Sequence, residues 1–545
     1  MSRIIPLDVS EADFDAALEE FRGALGAQWV LSSPVELEAF ADPYPTTNGL
    51  EFLPGAVISP STPEEVQVIV GIANKYKVPL SPVSTGKNLG YGGAAPRLSG
   101  TVVVNTGERM NKIIEVNEKY AFALVEPGVT YFDLYNHIQE KGYNLWIDVP
   151  DLGWGSIVGN TLDRGVGYTP YGDHWSWQTG LEVVLPDGDL LRTGMGAMSG
   201  SDAWQLFPYG FGPYPDGLFS QSNYGIVTKL GIALMPAPPA SETFLITFEN
   251  EADLEQVIDI MLPLRIGMAP LQNVPVLRNI FMDAAAVSHR DEWHAGPGHL
   301  SDDEIKTMQR ELNLGYWNLY ASVYGPPPQI EMFLAMIKEA FLQVPGARFA
   351  TTKDRPESPE DRGGHVLHDR HKINRGIPTI EERHLMDWVP NGGHTSFSPV
   401  SAPDGKDAMR QALMVKKRAD EFGQDYAAQF IVGLREMHHI CLFLYNTAVP
   451  RERDNTLAMA RILVEEAADA GYGEYRTHLA LMDQVMATFD YNDGALLRFH
   501  ERVKDALDPN SIMAPGKSGI WGARYRDRGL ELLHAPALED STPNS

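Results

Sequence analysis

Two hydrophobic periods alternate along the first 240 residues. Phe14, Ala17, Leu18 and Phe21 fall three and four apart, and Ser10 with Asp13 three places on supplies a helix start, so residues 10–25 are predicted to be a capped helix. "GAVISP" (55–60) reads as a strand. It precedes "TPEEVQVIVGIANKYK", an amphipathic helix with Pro63 in its first turn. "VPLSPVS" (78–84) is a second strand and completes a β-α-β unit. "GTVVVNT", "FALVEPGV" and "NLWIDVP" are further strands, with "YFDLYNHIQEKG" a helix between the last two. "LEVVLPDGDLLRTG" is a hairpin turning at Pro186-Asp187-Gly188. "YGIVTKLGIALMP" is a strand that runs into the proline-rich stretch 236–241, the best domain boundary in the sequence.

From 246 to about 471 the pattern changes. Long helices ("ADLEQVIDIMLPLRIG", "PQIEMFLAMIKEAFLQV", "RDNTLAMARILVEEAADAG") mix with separate strands ("YWNLYASVYG", "CLFLYNTAV"). This is an α+β arrangement that suggests two copies of a strand–helix–strand unit. After 472 come a helix, "GALLRFHERVKDALD", then "PNSIMAPGKSGIW" and a polar tail.

Composition narrows the function classes. The 545 residues carry 72 acids against 44 Lys plus Arg, a formal charge of −28, which argues against nucleic acid or an anionic membrane as the main partner. Cys441 is the one cysteine, so neither an internal disulfide nor a cysteine-based metal cluster can form. The first residues lack a charged-then-apolar targeting pattern, and no apolar run reaches membrane-span length, so a cytoplasmic protein is expected.

The candidate chemistry begins at "SPVSTGKNLGYGGAAP" (81–96). "GYGGAA" satisfies a dinucleotide fingerprint, but that motif must open a helix, and here Pro96, "RLSG" and a strand follow. "APGKSG" (514–519) has the end of a P-loop, yet Ser511 stands where its first glycine is required. A glycine-rich loop between strands still forms a nest of backbone amides suited to phosphate. The alternative is a tight turn with no ligand.

That stretch is followed in order by "VPDLGWGSIVGNTLDRGVGYTPYGDH", "WVPNGGHTSFSP", "GEYRTH" and "DPNSIMAPGKSG". Together these segments resemble the vanillyl-alcohol oxidase family of flavoproteins over nearly the whole chain. The resemblance implies an α+β fold: a two-subdomain FAD-binding domain of the p-cresol methylhydroxylase type with an α+β cap domain over the substrate. Residues 1–245 and 472–545 would form the first and 246–471 the second. It implies that the nest Ser84, Thr85, Gly86, Lys87, Asn88, Leu89 and Gly90 holds FAD. Further contacts are expected from Pro150, Gly155, Ser156, Gly159, Asn160, Gly167, Tyr168, Asp173, Ile226, Val227 and Lys517. His394 would carry a covalent bond to the flavin 8α-methyl, as a neutral ring nitrogen is nucleophilic.

The resemblance also assigns catalytic roles. Tyr91, Tyr475 and Arg476 would clamp a phenolate oxygen, so Tyr91 would leave the nest and point into the substrate cavity. Ionising a phenol of pKa about 10 at pH 7 costs about 4 kcal/mol. A charge-assisted hydrogen bond contributes about 1.5–3 kcal/mol, so an arginine with two tyrosines offsets that cost where one tyrosine does not. Asp151 would lie near the benzylic carbon and serve as acid–base, its pKa raised by burial. Trp388, Gln429, Met282 and Phe430 are candidate pocket residues. His365, His368 and His371 are three apart, but without carboxylates they read as a polar surface segment, and no metal is expected.

The expected reaction is oxidation of para-substituted phenols such as vanillyl alcohol, eugenol and 4-alkylphenols, with O2 as acceptor and H2O2 as product. The alternative is a dehydrogenase of the same fold that passes electrons to a cytochrome. The family also implies a homodimer or an assembly of dimers.

Overall fold

The computed structural model describes residues 4–45, 52–267, 269–296 and 298–533. The last twelve residues of the polar tail therefore lie outside the described residues. The first sheet contains β1 (Val30–Leu31), β2 (Ala56–Ile58), β3 (Leu80–Val83) and β4 (Val102–Asn105) in the order β1-β2-β4-β3. β2 and β3 both run parallel to β4. Parallel strands need a crossover, and the helix Pro63–Tyr76 supplies it. Its Val66, Ile69, Val70 and Ala73 pack with Phe14, Leu18 and Phe21 of the helix Glu11–Leu25 in one buried cluster. Ser10 caps that helix by accepting the Asp13 N–H, and Thr62 accepts the Glu65 N–H at the start of the crossover.

The C-terminal segment returns to this sheet. The Leu80 N–H donates to the Ile512 carbonyl at 2.7 Å and the Ala514 N–H to the Leu80 carbonyl at 2.6 Å, so residues 512–514 cover the free edge of β3. Buried Lys504 fastens the return. Its Nζ lies 2.8 Å from Asp508 and donates to the carbonyls of Asn223 (2.7 Å) and Met513 (2.5 Å).

The second sheet uses β5 (Ile113–Asn117), β6 (Phe122–Val125), β8 (Gln178–Val184), β9 (Leu190–Arg192) and β10 (Ile226–Ala233), in the antiparallel order β5-β6-β10-β8-β9. β7 (Leu145–Trp146) and β11 (Met235–Pro236) form a separate ribbon, so the strand expected over "NLWIDVP" is only two residues long.

The third sheet has nine antiparallel strands: β12 (Ser241–Phe248), β13 (Val276–Asn279), β14 (Trp317–Tyr324), β15 (Arg348–Thr351), β16 (Gly392–Phe397), β17 (Pro399–Ser401), β18 (Ala427–Val432), β19 (Met437–Asn446) and β20 (Gly473–Glu474). They form two copies of one unit. β12, the helix Leu254–Ile266, β13, β14, the helix Pro327–Phe341 and β15 make the first. β17, the helix Gly405–Phe422, β18, β19, the helix Pro450–Asp469 and β20 make the second. Each has its strands in the spatial order fourth, first, third, second, and β13 pairs with β18 to join them. β16 and β17 both lie along β19, with a break at Ser398. Residues 237–240 lie between the last strand of the ribbon and this sheet, whereas β20 keeps residues 473–474 within it, three residues beyond the limit drawn from composition.

Candidate active site

A cavity of about 390 Å³ lies where the loop after β3, the segment 150–168 and one face of the third sheet meet. It brings together most of the expected residues. Ser84 to Leu89 come from the loop; Pro150, Gly155, Ser156, Gly159, Asn160 and Tyr168 from the second stretch; Ile226, Val227 and Lys517 from β10 and the C-terminal return. Tyr91, Asp151, His394, Tyr475, Arg476, Met282 and Gln429 line the same cavity.

The loop is built for close approach. Gly86 and Gly90 have φ of 67° and 77°, where a side chain is strained. A Cβ on Gly90 would lie 2.3 Å from His394 Nε2, and a Cβ on Gly159 would lie 2.3 Å from Ser84 Oγ. Gly90 itself is therefore the spacer beside His394 rather than a lining residue. Asn88 donates to Asp163 at 3.1 Å, and Lys517 Nζ stands 3.6 Å from the same carboxylate.

His394 lies on β16 opposite Leu444 of β19. Its Nδ1 is 3.1 Å from Met386 Sδ, and the Tyr44 ring lies 5.4 Å away. Burial pushes its pKa down to about 4; Asp42 opposes the shift while Arg476 and His478 add to it. The imidazole is neutral at pH 7.

At one end, Tyr475 and Arg476 follow β20. The Arg476 guanidinium stacks over the Tyr91 ring at 4.1 Å, and its Nε is buried without a protein partner among the described residues. Burial opposes the arginine's charge, but Tyr91, Tyr475 and Asp163 outweigh it and hold it cationic. Burial keeps the Tyr475 hydroxyl protonated far above its ordinary range, so it donates rather than ionises. Gln221 Nε2 holds the Tyr475 carbonyl at 2.8 Å, and the His438 ring meets the tyrosine edge-on at 4.6 Å. Glu474 is buried behind the clamp. Both its oxygens accept the Ser398 N–H at 2.8 Å, and burial pushes its pKa up to about 8.

At the Asp151 end, Tyr168 donates to one carboxylate oxygen and Arg370 pairs with the other. The Arg370 guanidinium also lies 4.5 Å over the Tyr168 ring. Burial raises the Asp151 pKa; Arg370 pulls it down and Glu382 adds to the rise. Arg278 stands 2.8 Å from Asp283 and 3.0 Å from Glu382, and burial lifts Asp283 to about 6. Arg370, Arg278 and Glu382 went unrecognised in the sequence. Arg370 sits within "HVLHDRH", read as a polar surface segment, yet the helix Arg362–Ile373 turns Asp369 and Arg370 inward and buries them. Val366, Leu367, Arg370 and Ile373 lie three and four apart on one face of that helix, and this spacing was the available signal.

Besides Gly90, four expected residues lie off the cavity. Side chains alternate across a strand, so Gln429 and Ile431 of β18 face the cavity and Phe430 points to the other side, stacked on His439 at 4.2 Å. Trp388 is packed in the core of the third sheet, with its indole N–H donating to Asp425 at 2.9 Å. Gly167 makes room for a buried Asp148–His174 pair; its Cβ would fall 1.4 Å from Asp148 Oδ1. Asp173 is exposed and accepts the Ser176 N–H at 3.2 Å.

Comparison with known proteins gives consistent matches. Residues 54–194 match an FAD binding domain and residues 359–518 the C-terminal domain of FAD linked oxidases. The 4-cresol dehydrogenase [hydroxylating] flavoprotein subunit of Pseudomonas putida is 37% identical over 95% of this chain and 98% of its own length. The 1'-carboxy-chondrochloren decarboxylase of Chondromyces crocatus is 30% identical over 92% and 97%. Among solved structures, the 4-ethylphenol oxidase of Gulosibacter chungangensis in complex with isoeugenol superposes with a TM-score of 0.95 at 50% identity, covering 96% of this chain and all of that one. p-Cresol methylhydroxylase with substrate bound superposes with a TM-score of 0.92 at 37% identity, covering 95% and 99%.

Proposed function

The chain belongs to the vanillyl-alcohol oxidase family of FAD-linked oxidoreductases, and from that premise we propose that it is an oxidase of para-substituted phenols carrying covalently attached FAD. The residues present fit that cofactor. The glycine loop leaves open the space that side chains would fill, Arg476 Nε is a buried donor without a partner among the described residues, and His394 is neutral and pressed against the loop. His394 would carry the 8α bond, with Ser84–Leu89, Ser156 and Asn160 holding the rest of the molecule. When bound, FAD supplies the acceptor for a hydride from the benzylic carbon and passes the electrons to O2, giving H2O2.

The observation that carries the reading is the polarity of the cavity. Cationic Arg476 with Tyr91 and Tyr475 forms one cluster of its lining, and a carboxylate, Asp151, held by Tyr168 and Arg370, forms a separate one. The clamp holds the phenol oxygen as phenolate, which raises electron density at the para carbon. Loss of hydride from the benzylic carbon bonded there leaves a quinone methide on the substrate. Asp151 accepts the proton of a benzylic alcohol on the way to an aldehyde, or that of a water adding to the quinone methide. Arg370 and Tyr168 fix the orientation of its carboxylate. The protein would work in the cytoplasm as a homodimer or an assembly of dimers.

A second reading, a dehydrogenase that donates to a cytochrome, is favoured by the 37% whole-length identity to a 4-cresol dehydrogenase subunit. An oxygen electrode with 4-alkylphenols and 4-hydroxybenzylic alcohols separates the two. Oxygen uptake with one H2O2 per substrate is the expected result. Reduction of an artificial dye with no oxygen uptake supports the second reading. The attachment is tested on a denaturing gel, where flavin fluorescence should follow the wild-type band and be absent from His394→Ala.

A further inference from the structure

Beside the clamp lies a separate cavity of about 450 Å³, within the usual size of small-molecule sites. Both cavities count Asp163, Gln221, Tyr475, Arg476 and Lys517 in their lining, so they meet across those side chains. The rest of the lining has two characters. Leu218, Met482, Val485, Met486, Phe489 and Leu496 are apolar, and the two Met sulfurs and the Phe489 ring suit an aromatic ring. Arg164, Arg476 and Lys517 are cations. Against them stands one carboxylate ionised at pH 7, Asp163. Burial pushes Glu474 up to about 8, so it is mostly protonated, and burial lowers His500, which stays neutral. A positive lining in a chain of formal charge −28 selects an anion.

Arg164 lines this cavity and not the active-site one. Its Nε and Nη2 both donate to Ser220 Oγ, at 3.2 and 3.0 Å, and no carboxylate among the described residues pairs with it. A neutral hydroxyl thus holds the guanidinium in place while its charge stays available, and a carboxylate is the planar partner that its fork fits. Three non-glycine residues of the lining take left-handed backbone: Arg164 (φ 55°), Gln221 (47°) and Ser518 (56°). Such strain persists where surrounding bonds impose it. Those bonds converge on Gln221. Its N–H donates to the Leu162 carbonyl at 2.9 Å, its Nε2 to the Tyr475 carbonyl at 2.8 Å, and its own carbonyl accepts Ser518 Oγ at 2.6 Å. The residue next to Arg164's partner therefore holds the clamp.

We propose that this cavity binds a small aromatic carboxylate, with its ring against Met486 and Phe489 and its carboxylate on Arg164, and that the bound anion weakens the clamp's hold on a phenolate. Two negative charges on opposite sides of Arg476 compete for its field, and by linkage each ligand weakens the other by the same factor. The effect on the clamp rests on the phenol-oxidising reading above; the binding does not.

The test is equilibrium dialysis of radiolabelled trans-cinnamate against the flavin-loaded protein, with and without saturating phenol. Phenol has the oxygen that the clamp grips and no benzylic carbon to oxidise. Cinnamate has no phenol oxygen, and cinnamamide is its uncharged counterpart. One cinnamate should bind per chain with phenol present, about fivefold more weakly than without it. Cinnamamide should bind about tenfold more weakly than cinnamate, and Arg164→Gln and Phe489→Glu should each weaken cinnamate by about tenfold. In turnover of 4-ethylphenol, cinnamate should raise KM by about fivefold to a plateau. Cinnamate wholly displaced by phenol, or a KM that rises without limit, would put it in the active site and sink the proposal. Equal binding of cinnamamide, a Kd indifferent to both variants, an unmoved KM, or no binding at about 10 mM would sink it too. Thermal melts identify a variant that fails to fold; Phe489 is 42% exposed, so Phe489→Glu is the safer of the two. A wild type that binds cinnamate through Arg164 yet oxidises no phenol would instead overturn the phenol-oxidising reading.

Discussion

Asp151 is the residue on which the proposed proton traffic turns. Replacing it by Asn leaves the shape of the cavity and removes the base, so turnover of a 4-hydroxybenzylic alcohol should fall by about 10²–10⁴-fold in a stopped-flow assay. Because burial raises its pKa, the acid limb of the wild-type profile should lie above the ordinary carboxylate range and vanish in Asp151→Asn. Glu474 gives a separate signal. Its pKa rises from 4.5 to about 8 on folding, so the folded state binds the extra proton and stability from this group is lost as pH climbs between those values. Glu474→Gln should flatten that decline, seen as a smaller drop in Tm between pH 5 and pH 8. At this scale the sequence exposed what stood in glycine turns or in adjacent pairs: His394 in "NGGH" and Tyr475-Arg476 in "EYRT". It hid Arg370, whose charge among three histidines looks solvated until the apolar face of its helix is traced.

Elements explain which neighbours can act together. β18 alternates across the sheet, so Gln429 and Phe430 cannot both face the cavity, a constraint that strand periodicity carries even in a bare sequence. Substituting each should separate the two faces. Phe430→Ala should cost about 3–5 kcal/mol of stability in chemical denaturation with little change in KM. Gln429→Ala should alter KM for the phenol and leave the denaturation midpoint near wild type. Many strands and helices of the first 240 residues were legible because they have a cap, a proline or a turn at their ends, whereas β1, β5 and the helix Ile157–Leu162 were not read. The 3-10 helix Glu381–Trp388 was not, because its residues show neither a clean helical nor a clean strand pattern.

Across the whole molecule, the site depends on parts distant in sequence. The doubled strand–helix–strand unit was visible as repeated patterning, whereas the pairing of β13 with β18 that joins its halves is a long-range contact with no local signature. Lys504 shows the same dependence. It is wholly buried and ties the C-terminal return to Asn223, Asp508 and Met513. Lys504→Met leaves the buried Asp508 carboxylate without its cation, held only by the Ile512 and Met513 N–H groups, and should cost about 3–5 kcal/mol, measured by denaturant unfolding of the flavin-loaded protein.

The strand addition at Leu80 sets an order of events at birth. β3 leads directly into the glycine-rich loop, and its outer edge is completed by residues 512–514. A nascent chain still threaded through the ribosome holds those residues back. The glycine-rich loop that follows β3 therefore acquires its final support only once residues 512–514 have emerged to complete that edge.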